Sequence, residues 1–140
     1  MTAIIDASLA IGLLLPDHPR HARAVALVER AESLGYSLRL APQTAYEAWV
    51  VLSRPVSDNG YGITPAALRK TLRSLRSVYP LLPDPADLVD RWLDLCGQYD
   101  VKGKPAHDAR LAAWAMAHEV RAILTLNPGD FPRYGLTVLS

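Results

Sequence analysis

Apolar residues recur along this chain with two alternating periods. Short β-rich runs occur at TAIIDA (2–7), YSLRLA (36–41), RAILTL (121–126) and LTVLS (136–140), with YPLLP (79–83) as a further short candidate. Between them lie longer segments with apolar positions at i, i+3, i+4 and i+7, the helical spacing. SLAIGLLL predicts a short helix that Pro16 stops. Residues 19–34 predict a second, with Ala24, Leu27, Val28, Ala31 and Leu34 on one face and Gly35 beyond its end. PQTAYEAWVVLSR places Pro42 at a first helical position. TPAALRKTLRSLRSVY opens on Thr64 as N-cap, DPADLVDRWLDLCGQY is a further helix, and KPAHDARLAAWAMAH is the last. Strands alternating with longer helices predict crossover connections, hence an α/β fold in three layers, with a short, mostly parallel sheet covered on both faces. In such sheets ligands bind beyond the carboxyl ends of the strands.

Composition narrows the class. The chain has 140 residues, the size of a single domain spanning 1–140, with 50% hydrophobic and 21% charged residues, as in a globular protein. No apolar run is long enough for a membrane span. The first 16 residues lack a basic start, and Asp6 interrupts the apolar stretch, so a signal peptide is not expected. Cys96 is the one cysteine, which excludes an internal disulfide and makes a cytoplasmic address the default. His18, His21, His107 and His118 show no zinc-site spacing. A net charge of +1 argues against coating nucleic acid by global charge, yet leaves room for a local grip on phosphates.

One feature of the last helix conflicts with simple packing. Asp108 shares its apolar face with Leu111, Ala112 and Ala115, where an uncompensated carboxylate is costly. A first-turn acid stabilised by the helix dipole is one explanation. Other acids stand at related places. Asp6 ends the first strand, where it could also cap the next helix. Glu47 lies in the helix after the second strand, where Thr44 three residues earlier could form a capping box with it. Asp130 follows the RAILTL strand in the turn-prone NPGDF. A parallel sheet would bring all four segments to one edge. Two carboxylates 4 Å apart repel by about 4 kcal/mol at an effective dielectric near 20, so a cation or a raised pKa is required. Oxygen ligands without Cys or His favour a hard cation such as Mg²⁺ or Mn²⁺.

IIDAS, YEAW, LSRPVSDNGYGI, GKPAHDARLAAWA and ILTLNPGDF, in that order and over essentially the whole chain, resemble PIN-domain ribonucleases, and more narrowly the VapC toxins of bacterial toxin–antitoxin pairs. The resemblance implies a PIN-like fold, metal-dependent hydrolysis of RNA, a VapB-type antitoxin partner and a homodimer. It carries catalytic roles to Asp6, Glu47, Asp108 and Asp130, with Asp6 and Asp108 as the metal ligands and Glu47 and Asp130 as further ones. Many members have an acid two residues after the strand-ending threonine, where this chain has Asn127. That departure bears on a second metal and leaves Asn127 or Asp130 as fourth ligand. Ser8 could bond a water held by the metal or cap its helix, and the cap is favoured.

Arg54, Lys102, Lys104 and Arg110 flank these motifs and are candidate RNA contacts. Arg69, Arg73 and Arg76 share a stripe beside the apolar Leu68, Leu72, Leu75 and Tyr79. That stripe reads as a solvated face, or as a contact for phosphates or an acidic partner segment. His107 beside Asp108 reads as a surface or capping residue before a proton shuttle. Receiver domains and haloacid-type phosphatases both lack a match, the second because Ser8 replaces the second acid of D-x-D. The alternative from another class is a non-catalytic interaction module of PIN shape.

Overall fold

The structure is a computed structural model that describes residues 1–129 and 131–140. Its centre is a sheet of four parallel strands, β1 (Thr2–Ile5), β2 (Ser37–Leu40), β3 (Ala122–Leu124) and β4 (Thr137–Leu139), in the order β2-β1-β3-β4. Six α-helices surround it among the described residues: α1 (Ala7–Leu14), α2 (His21–Ser33), α3 (Pro42–Ser53), α4 (Pro65–Val78), α5 (Leu88–Gln98) and α6 (Ala106–Ala117). None of them is long and apolar enough to cross a membrane.

Strand alternation builds the two cores. Ile4 and Ile123 point to one face, where they pack with Leu111, Trp114 and Ala115 of α6 and Leu88 and Leu95 of α5. Ala3, Ile5, Leu38, Leu40, Ala122 and Leu124 point to the other, against Leu9 and Ala10 of α1 and Ala24, Leu27 and Val28 of α2. The three-layer parallel architecture expected from the pattern is present. A third cluster, Ile11, Ala48, Leu52 and Leu68, joins α1, α3 and α4.

Three local expectations change. YPLLP is not a strand: only Leu81 bridges Leu40, through Pro80 O and the Leu82 N–H, because Pro80 and Pro83 leave too few amides for a ladder. Helix α2 starts at His21 instead of residue 19, since His18 Nδ1 and O take the amides of Arg20 and His21 in a turn before it. Leu34 ends α2 half exposed, because Gly35 at φ +90° turns the chain away there.

After β1 the chain crosses to β2, and after β2 it returns past β1 to β3. The strand order therefore reverses between β1 and β3, and their carboxyl ends border the crevice where doubly wound sheets bind ligands.

Candidate active site

Asp6 and Thr125 stand at the ends of the two strands that border that crevice. The Asp6 N–H extends the ladder to Leu124 O (3.1 Å), which fixes its backbone. Asp6 is 8% exposed. Oδ1 accepts from the Ser8 hydroxyl (2.6 Å) and the Leu9 N–H (3.2 Å), and Oδ2 accepts from the Thr125 hydroxyl (2.6 Å). Asp6 is thus the N-cap of α1. The capping role expected for Ser8 belongs to Asp6, and Ser8 instead holds that carboxylate while accepting from the Leu126 N–H (3.0 Å). Burial pushes the Asp6 carboxyl above its usual range, against the opposing hydrogen bonds from Ser8, Thr125 and the Leu9 amide. Among the described residues, no lysine, arginine or histidine forms an ion pair with Asp6 or Glu47.

Glu47 faces the same crevice from α3. The capping box is excluded, because Thr44 is buried and spends its hydroxyl on Ile5 O (2.7 Å), and Ala41 is the N-cap. That bond ties α3 to the end of β1 and aims the next turn, with Glu47, over the crevice. Glu47 itself is exposed, and its Oε1 accepts from Gln43 Nε2 (2.5 Å).

Asp108 lies in the first turn of α6, so the dipole explanation describes its position. Its helix face also explains its neighbours, since Leu111, Ala112 and Ala115 are all buried while Asp108 is partly open. A Cβ on Gly129 (φ +49°) would come within 2.9 Å of Asp108 Oδ2, so the bare glycine lets the loop after β3 close over this carboxylate.

Asp6, Glu47 and Asp108 together line one cavity of about 400 Å³, with Ser8, Thr44, Lys104, His107 and Asn127 supplying further polar groups. Asp130 lies outside the described residues. Among the described residues no three His, Cys, Asp or Glu side chains form a ready-made metal-binding group. The three acids share a cavity and do not close on one point.

Of the four candidate RNA-binding residues, Lys104 lines the cavity. Lys102 is exposed and pairs with Asp100 (3.2 Å), and Arg54 donates to Asn59 O (3.1 Å) in the loop after α3. Arg110 is engaged inward, with Gln43 and Asp84. Arg69, Arg73 and Arg76 are exposed and edge a separate groove between α3 and α4, floored by Trp49, Leu72 and Leu81. Sequence reading missed Gln43 and Thr125 and gave Thr44 a different role. For Thr44 and Gln43 a faint signal existed: polar residues in the first turn of a helix whose cap position is alanine.

The sequence profile of the PIN domain matches residues 3–135. The chain belongs to the PIN domain family. No curated protein matches it in sequence. In structure this PIN domain is similar to VapC20 of Mycobacterium tuberculosis, a sarcin-ricin loop cleaving toxin, with a TM-score of 0.71 and 20% identity over 98% of this chain and 97% of that one. It is similar to FitAcB of Neisseria gonorrhoeae (TM-score 0.69, 16% identity, 100% and 97% covered). A further neighbour is VapBC2 of Rickettsia felis bound to a promoter DNA fragment (TM-score 0.65, 15% identity, 99% and 97% covered). At these identities the likeness is one of fold.

Proposed function

We propose that this PIN domain is a Mg²⁺- or Mn²⁺-dependent endoribonuclease, the toxin of a pair neutralised by a VapB-type antitoxin, and that it works as a homodimer. The observation that carries the nuclease reading is the cavity. Among the described residues three carboxylates line it, and Asp6 is buried there with neutral hydrogen-bond donors and no cationic partner. Desolvating that charge is costly, and a bound divalent cation would offset the cost. The oxygen-rich lining fits a hard ion, and Mg²⁺ keeps several waters, so a few carboxylates that do not converge are sufficient.

Asp6 and Asp108 are the proposed direct ligands, with Glu47 and Asp130 completing the set and Asn127 the alternative to Asp130. Bound there, the ion would polarise the phosphodiester and make water a competent nucleophile. Ser8 and Thr125 hold Asp6 against rotation, and Gly129 leaves room for Asp108. Lys104, which lines the cavity, is the proposed phosphate contact nearest the acids, and Lys102 and Arg54 are the further proposed RNA contacts. Water attacking from outside the RNA leaves 5′-phosphate and 3′-hydroxyl ends. Mapping product ends on a structured RNA, beside an EDTA control, tests this. Cyclic 2′,3′-phosphates that persist in EDTA would overturn the metal mechanism and move the leading role to His107.

The toxin reading draws on two further structural neighbours, a toxin–antitoxin complex from Klebsiella pneumoniae and VapBC-5 of Mycobacterium tuberculosis, a member of the VapBC family of toxin–antitoxin systems. The groove between α3 and α4 has an apolar floor and three arginines along its edge, complementary to an acidic amphipathic segment of such a partner. Charge reversal by Arg73→Glu should weaken antitoxin binding at least tenfold in a titration and leave cleavage intact. Unchanged affinity would remove the groove from the interface, and a solution mass of one chain would remove the dimer.

A further inference from the structure

Glu47 is exposed, yet its carboxylate is held by a relay of three side chains from three segments. Gln43, one turn earlier on α3, is 6% exposed. Its Nε2 donates to Glu47 Oε1 (2.5 Å) and to the His107 carbonyl (2.8 Å). Its Oε1 accepts from Arg110 Nη1 (2.9 Å). Arg110 Nη2 in turn donates to Asp84 Oδ2 (2.9 Å), in the segment between α4 and α5.

The order of partners decides what the relay does. A guanidinium has donors only, so whichever end of the Gln43 amide faces Arg110 must be the oxygen. The NH₂ end is then obliged to face Glu47, which is the one orientation that supplies a donor to a carboxylate. The His107 carbonyl accepts from the same NH₂ and favours the same orientation, so Arg110 and His107 O grip the amide from its two ends and hold it toward Glu47. Asp84 fixes Arg110 with a second bond, and Arg is the side chain whose rigid fork can hold two such partners in place. The bond from Gln43 to His107 O also pins α3 to the turn of α6 that carries Asp108. The relay therefore sets both the aim of Glu47 and the separation of its helix from that of Asp108.

We propose that Gln43 and Arg110 are positioning residues for Glu47, with Arg110 acting through Gln43 and not by gripping RNA. This rests on the metal-dependent ribonuclease reading. Arg110→Met, Arg110→Lys and Gln43→Met are compared with wild type in two assays: a Mn²⁺ titration followed by thermal melting, and steady-state cleavage of an RNA oligonucleotide at several salt concentrations. Positioning predicts weaker Mn²⁺ affinity and a kcat about tenfold lower in Arg110→Met and Gln43→Met. KM and the salt dependence of KM should not move. Arg110→Lys keeps the charge but not the fork, so it should behave like Arg110→Met. In a Glu47→Gln background, Arg110→Met should cost nothing further.

A phosphate contact gives the opposite pattern: KM rises, the salt slope falls by about one, and Arg110→Lys is largely tolerated. That pattern, or wild-type Mn²⁺ affinity and kcat in Arg110→Met, overturns the proposal. Wild type that binds Mn²⁺ but cuts no RNA would sink the nuclease reading alone, and the affinities of the variants would still decide the relay. Wild type that binds no Mn²⁺ would overturn both.

Discussion

Asp6 and Glu47 line the same cavity and are held in opposite ways. Asp6 is buried, and its restraints come from two neutral hydroxyls and a backbone amide supplied by the ends of β1 and β3. Glu47 is exposed, and its restraint leads through an amide and an arginine to a second acid. The first arrangement follows directly from the sheet: once β1 pairs with β3, Thr125 has nowhere else to be. The second depends on side chains from α3, α6 and the segment before α5 arriving together. Burial makes the Asp6 charge costly and its position rigid, whereas solvent leaves the Glu47 charge cheap and its position in need of anchoring. The cavity thus combines a buried, fixed carboxylate with an exposed, tethered one.

The largest effect should come from removing either charge. Asp6→Asn and Asp108→Asn keep volume and delete a proposed metal ligand, so RNA cleavage under saturating Mn²⁺ should fall at least a hundredfold, equivalent to about 2.7 kcal/mol of transition-state stabilisation. Glu47→Gln should lose a comparable amount despite its exposure, because in the proposed mechanism the charge acts through a bound ion and not through burial. The thermal stabilisation by Mn²⁺ should shrink in all three, from about 2.7 kcal/mol at a hundred times the wild-type dissociation constant. Wild-type cleavage by Asp108→Asn would return that residue to the role of a helix-dipole acid. Full activity in Glu47→Gln with loss in Asp6→Asn would break the symmetry between the two and leave Glu47 a surface residue.

Much of this arrangement was legible in the residues and some of it was not. The strands and helices were legible because their periods differ, and the parallel order followed from alternation. The edge that gathers Asp6, Glu47 and Asp108 followed from parallel order. What stayed hidden depends on contacts between distant segments. Thr44 looked like half of a capping box with Glu47, and only the nearness of Ile5 O shows where its hydroxyl goes. Ser8 and Asp6 compete for one cap, and the winner is decided by Thr125 and the Leu126 amide, more than a hundred residues away. Arg110 looked like an RNA contact because it sits beside the motif acid. Its engagement with Gln43 and Asp84 joins parts of the chain 67 and 26 residues apart, which no local pattern encodes. Proline misled in the other direction: the apolar run around Leu81 has strand composition, but its flanking prolines restrict it to one bridge.

The smallest effect separates the two acids most cleanly, and it needs no substrate. In the metal-free protein, burial raises the Asp6 pKa above its unfolded value of 3.8. Above the raised folded value, the carboxylate is ionised in both states, and the native state bears the full desolvation cost. As pH falls through the folded pKa toward 3.8, the native state takes up the proton first, so this cost is progressively relieved. Asp6→Asn removes it at every pH. The amide can also be accommodated: its oxygen keeps the Ser8 and Leu9 donors, and its NH₂ faces Thr125, whose hydroxyl can turn its proton to Asn127 O (2.9 Å) and accept instead. Metal-free Asp6→Asn should therefore melt a few °C above wild type at pH 7, a gain on the order of 1 kcal/mol. The difference should narrow as pH is lowered toward 4. Glu47→Gln, which relieves no burial, should show no such gain at any pH. Parallel thermal melts of the three proteins in EDTA across that range measure it. A less stable Asp6→Asn at pH 7 would mean that the hydrogen bonds to the carboxylate outweigh its desolvation, and Asp6 would then be a stabilising cap and not a strained ligand.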